Sequence, residues 1–337
     1  MNKKTIQVGC IYTGAVLGAG FATGLELFTY FVSYGAVGFF GLIICCLLFI
    51  ITGYKVLKIC HENEIYDYTQ LMDLISGKFL SPLFRILSFL FLNVLFSAML
   101  AGFGELVRDI FHIPAFYGNT ALAIISLFLL IGGENMLAVI NTALCPFLII
   151  GCIILGIYIF WDTTAVFSIN KAMKNNFLTS AIIYTSYNTI TSVALLAQIS
   201  DRITDKKHAL ASAALCGILL LMAGVAMCLP LYFNPQINNN SLPILSLINS
   251  NMIKWCYTLV LTLAIVTTTV GNGFCIAEFY SKNLCIKKKS GCFLACCVGL
   301  MLSSIGFNQI VNNVYFIFGV VGLGQMVCLL TYKSGKN

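Results

Sequence analysis

The feature that most constrains this chain is a mostly apolar run, long enough to be a membrane helix, that recurs along its whole length between short polar stretches. A spanning helix needs about 20 such residues. Hydrocarbon offers the backbone no hydrogen-bond partner, so each run must be a helix or a strand of a closed barrel. The two-residue alternation of a barrel is absent. The chain therefore reads as an all-α polytopic membrane protein of about ten helices, with spans near 6–32, 36–57, 83–107, 117–132, 136–160, 177–198, 208–232, 252–276, 291–307 and 312–331. Composition agrees: 59% of the 337 residues are hydrophobic and 9% charged, which excludes a soluble domain. The stretch "HENEIYDYTQLMDLISGKFLSP" is too polar to cross and reads as an amphipathic helix along the interface. "LPILSLIN" reads as a short capping helix.

Positive charge orients the spans, because cytoplasmic loops hold the excess of Lys and Arg. Placing the N-terminus inside puts Lys3, Lys4, Lys55, Lys58, Lys78, Arg85, Arg202, Lys206, Lys207, Lys282, Lys287, Lys288, Lys289, Lys333 and Lys336 on the inner side. Only Arg108, Lys171, Lys174 and Lys254 are left outside. The expectation is a multi-pass protein of the cytoplasmic membrane with both termini in the cytoplasm. The net charge of +7 then reflects topology and asks for no nucleic-acid partner. The partners expected are the lipid bilayer and a small-molecule substrate.

The 15 cysteines lie almost all within apolar runs, where they read as small buried hydrophobes and not as a disulfide framework. No Walker A, HExxH or GxSxG motif is present, so neither an enzyme nor an ATP-driven pump is expected, and no cofactor beyond a possible coupling ion.

Two spans are interrupted. In the first, "GAVLGAGFATGLE" sets Gly14, Gly18, Gly20 and Gly24 just before a carboxylate, Glu26. In the sixth, "YTSYNTITS" runs from Tyr184 to Ser192 with Ile190 as its one aliphatic residue. Five helices separate the two starts, so the chain divides into repeats at 1–160 and 161–337, the second inverted relative to the first. Interrupted spans at matching places in inverted halves point to a transporter's substrate site. Gly18 and Gly20 permit non-helical backbone. An unwound helix exposes amides that attract a carboxylate and carbonyls that hold a small cation. The same glycines also fit small-residue helix packing, as Gly14-x-x-x-Gly18 and Gly20-x-x-x-Gly24.

"GAVLGAGFATGLELFTYF" resembles the first helix of the bacterial YkvI-type membrane proteins, relatives of the amino acid–polyamine–organocation transporters with the LeuT-like five-plus-five inverted repeat. The resemblance implies broken first and sixth helices around the substrate, and a sodium ion between the first and eighth. "LGAG" matches the unwound segment, so Gly18 with the amides of Ala19 and Gly20 would face a substrate carboxylate, and the carbonyls of Gly14 and Leu17 the ion. In the eighth helix, "LAIVTTTVGNG" sets Ala264, Thr267 and Thr268 on one face, similar to the family's cation pattern of one carbonyl and two hydroxyls. Threonines in membrane helices also bond their own i−4 carbonyls, which leaves a second reading open.

An ionisable group inside a membrane is a functional hypothesis by default. Glu26 is open to three roles: proton coupling, binding a substrate amine, or holding an unwound sixth helix. Tyr184, Ser186, Tyr187 and Asn188 would form the facing wall. Asn93, deep in the third helix, would either line the pocket or bond another helix. Glu105 is expected at a helix end, paired with Arg108. Together these features predict a sodium-coupled secondary transporter of a small amino- or carboxylate-bearing solute. The alternatives are a non-transporting receptor resembling germinant-receptor subunits, and a proton-coupled carrier.

Overall fold

Each apolar run becomes a helix, because only a helix closes its own backbone hydrogen bonds in lipid. The computed structural model describes residues 3–162, 174–234 and 240–333, the side chains of 134–138 and 141–142 excepted. Lys171, Lys336 and residues 235–239 fall outside. The first span is in three pieces, α1 (Lys3–Val16), α2 (Ala19–Thr23) and α3 (Leu25–Tyr30). Then come α4 (Val37–Asn63), α5 (Tyr68–Phe111), α6 (Ala115–Ile131), α7 (Gly133–Asp162) and α8 (Phe177–Gln198). The chain continues through α9 (Lys206–Phe233), the four-residue α10 (Pro243–Ser246), α11 (Asn251–Asn283) and α12 (Lys288–Ser303). It ends with α13 (Phe307–Gln309), a wider turn over Ile310–Val314, and α14 (Tyr315–Thr331). The ten expected spans thus each have a helical counterpart, and the described residues contain no strand.

Among the described residues, six helices are long and apolar enough to cross a bilayer. Of the most apolar window of α11, 78% is buried, against 33% for that of the last span, Phe307–Thr331, so α11 is central and the last span peripheral. α8 is buried almost throughout, including every residue from Ile183 to Ala197.

The amphipathic stretch is visible as the start of α5. Tyr68, Leu71, Met72 and Ile75 are buried at helical spacing. Gly77, at φ 71° and ψ 168°, then breaks the helix before the membrane-crossing part begins. At the end of the bundle that carries most of the basic residues, Lys282 bridges Asp67 (3.0 Å) and Glu278 (3.1 Å), and Lys206 meets Glu62 at 2.8 Å. Glu105 pairs with Arg108 at the opposite end, as its position suggested. All 15 cysteines are free thiols, most of them buried.

Candidate site at the broken first helix

The first break is shorter than the sequence suggested. Only Leu17 and Gly18 leave the helix: Gly18 is extended at φ −86° and ψ −174°, and its amide turns back to the Val16 carbonyl. Ala19 and Gly20, expected in the unwound segment, already lie in α2. The chain breaks again at Gly24, whose φ of 84° suits glycine, and where a Cβ would stand 2.8 Å from Ile244 and 3.0 Å from Leu231. The short capping helix α10 therefore packs straight onto this second break.

The break frees carbonyls, and one side chain collects two of them. Thr268 Oγ1 in α11 lies 3.2 Å from both the Gly14 and the Leu17 carbonyl. One hydroxyl has one hydrogen to give, and 3.2 Å is long for an O–H···O bond. The pair of carbonyls is therefore under-supplied with positive charge, which fits a small hard cation. Thr267 behaves differently, its hydroxyl turning back to Leu263 and Ala264 at 3.0 Å each. That ties up the Ala264 carbonyl as well. On the other side of the break, the Ala19 amide donates to Met99 Sδ at 3.4 Å.

The sixth span is not interrupted. α8 runs unbroken from Phe177 to Gln198, a correction to the sequence reading. Its polar residues are absorbed locally: Thr185, Ser186 and Thr189 donate to carbonyls one turn back at 2.7–2.8 Å, Asn188 does so at 3.0 Å, and Ser192 at 2.7 Å. This back-bonding lets a polar run stay helical in an apolar setting. Ser186 lies against Met326 of α14. Asn93 likewise folds back onto the Phe89 carbonyl at 2.8 Å, leaving its Oδ1 without a partner.

Tyr184 and Tyr187 point the other way, toward Glu26. Glu26 is 4% exposed and lies against the short helix between the two breaks: a Cβ on Gly20 would meet its Oε1 at 2.0 Å. The hydroxyls of Tyr187 and Tyr184 face its carboxylate without closing a well-formed bond, and Tyr30 and Tyr315 stand within electrostatic reach. The four rings form one cluster, with centroids 5.4 Å apart for Tyr30–Tyr184, 5.7 Å for Tyr30–Tyr187, 5.3 Å for Tyr184–Tyr187 and 5.0 Å for Tyr187–Tyr315. Tyr315 and Met99 carried no signal in the sequence, and Tyr30 only the hint of lying one helical turn after Glu26. Tyr30 also borders a cavity of about 280 Å³ that opens beside Lys174 and Asn312.

The broken first helix packed against α11 and the central α8 belong to an arrangement of helices that solved structures of the LeuT-type fold share. Among solved structures, the chain is similar to a manganese transporter of Eremococcus coleocola (TM-score 0.68, 15% identity, 97% of this chain and 78% of that one). It is also similar to MhsT in complex with L-phenylalanine (TM-score 0.67, 11% identity, 100% and 93%), and to Mhp1, a nucleobase-cation-symport-1 transporter (TM-score 0.66, 15% identity, 95% and 75%). By sequence it is homologous to the uncharacterized Bacillus subtilis membrane protein YkvI, 24% identical over 98% of this chain and 96% of that protein. A second B. subtilis protein, YyaD, is 23% identical over 95% and 94%. No family model matches the chain.

Proposed function

We propose that this protein is a secondary transporter that moves a small amino- or carboxylate-bearing solute by alternating access, driven by sodium. The observation that carries the reading is the meeting of Thr268 Oγ1 with the Gly14 and Leu17 carbonyls at the helix break. Sodium prefers oxygen ligands of this kind, and Thr268 with the two carbonyls would hold it, Ala264 and Thr267 joining once the Thr267 hydroxyl turns from its own helix. The solute would sit beside Gly18, Ala19 and Gly20, with Tyr184 and Tyr187 opposite and Ser186, Asn188 and Asn93 behind them. An inward sodium at 100 mV supplies about 2.3 kcal/mol, and a tenfold gradient adds about 1.4 kcal/mol. Both termini would face the cytoplasm, with the Lys282 bridges closing the inner end.

The test is uptake into proteoliposomes under an imposed sodium gradient. Accumulation that needs sodium and is lost in Thr268→Val supports the proposal. Ligand binding without accumulation would favour a receptor, and uptake driven by a pH gradient alone would favour proton coupling.

A further inference from the structure

The space beside Gly20, where a solute's carboxylate is expected to dock, already holds a carboxylate belonging to the protein. Glu26 Oε1 lies so close to Gly20 that a methyl group added there would have to push the Glu26 side chain aside. The side chain is buried, and among the described residues no Lys, Arg or His forms an ion pair with it. The titratable groups around it are all tyrosines: Tyr30 on α3, Tyr184 and Tyr187 on α8, and Tyr315 on α14. Three of these, Tyr184, Tyr187 and Tyr315, are no more than 1% exposed and carry hydroxyls with no hydrogen-bond partner. Buried polar atoms are nearly always satisfied; the Tyr184 and Tyr187 hydroxyls turn toward the Glu26 carboxylate, and what the cluster lacks is a positive charge to match it.

The chemistry of an occupant that would supply it follows from the donor set. A solute carboxylate brought to Gly20 would meet Glu26 as a like charge in a low-dielectric interior, which is strongly unfavourable. An ammonium meets a carboxylate, hydroxyl lone pairs able to accept its hydrogens, and ring faces that attract cations. Resting on the transporter reading above, we infer that the solute is an organic amine without a carboxylate of its own, bound by Glu26 within the Tyr30, Tyr184, Tyr187 and Tyr315 cluster. Glu26 takes the place that an amino acid's carboxylate would fill. Tyr30, which touches both the cavity of about 280 Å³ and the inner tyrosines, stands on the entry route.

The experiment is a thermal-shift and binding series on the purified full-length protein with matched pairs: isobutylamine against valine, phenethylamine against phenylalanine, putrescine against ornithine. The expected result is that at least one amine stabilises the protein while its amino-acid partner does not. Glu26→Gln should weaken that amine by more than about thirtyfold, the low end of what losing one member of a buried charge pair costs. Tyr187→Phe keeps the packing and should weaken the amine less, which guards against a Glu26→Gln variant that fails to fold. Tighter binding of the amino acids, equal amine binding by Glu26→Gln, or no response to any compound would overturn the inference. Sodium-driven accumulation of an amino acid would overturn it while leaving the transporter reading intact. Amine binding that disappears in Glu26→Gln, with no accumulation of any compound in proteoliposomes, would uphold the site and remove the transporter.

Discussion

The hydroxyl of Tyr257 donates to the carbonyl of Ala22 at 2.6 Å, joining α11 to the five-residue helix that lies between the two breaks of the first span. Tyr257 is 1% exposed, so the carbonyl has no access to water as a substitute partner. Replacing Tyr257 with Phe keeps the ring and strands the acceptor. The expected loss is about 1–3 kcal/mol of stability, measured as a lower unfolding midpoint in detergent, with α2 exchanging its amide hydrogens faster than in the parent protein.

Thr267 and Thr268 are neighbours in sequence with different assignments. Thr268 reaches across to the first helix, whereas Thr267 bonds its own. Sodium, compared with potassium at equal ionic strength, should raise the unfolding midpoint of the parent protein. Thr268→Val should remove that response, and Thr267→Val should leave a reduced one. Equal loss in both variants would mean that the Thr267 hydroxyl turns to meet the ion fully.

Gly24 is the hinge most exposed to test. A side chain there must adopt a left-handed backbone and displace Ile244 and Leu231. Gly24→Ala should cost about 2–4 kcal/mol, combining the strained conformation with overpacking. A stability change below measurement error would show that the second break is not held in this geometry.

At the basic end, Lys282 spans Asp67 and Glu278 above a small cavity of about 40 Å³ that Cys275 helps to line. The ion pairs are partly exposed and contribute little to stability, about 0.2–1 kcal/mol each. Their effect on access should be larger. Lys282→Met should speed the labelling of Cys275 by a maleimide, located by mass spectrometry, while the unfolding midpoint hardly moves.

The break in the first helix was legible as one of two uses of clustered glycine in a membrane span, the other being close helix packing. Its length was not: Ala19 and Gly20 are as compatible with a short helix as with an open loop, and Met99, which meets the Ala19 amide, lies 80 residues away. The sixth span misled for a physical reason. Hydropathy registers hydroxyls as polar, but Thr185, Ser186 and Thr189 spend theirs on carbonyls of their own helix. Tyrosine was nearly invisible for the opposite reason, since its ring suits lipid and its hydroxyl matters only once its direction is known. Glu26 stood out as an intramembrane carboxylate, yet its contact with Gly20 depends on the turn at Gly24 that lies between them.

An unbroken α8 facing a first span in three pieces gives the molecule one stiff wall and one jointed wall. Mechanical compliance is then concentrated in two swivels, at Leu17–Gly18 and at Gly24, with the five residues of α2 as the lever between them. A cation held at the first swivel and an amine held at Glu26, as proposed above, would therefore both be felt by the same short segment.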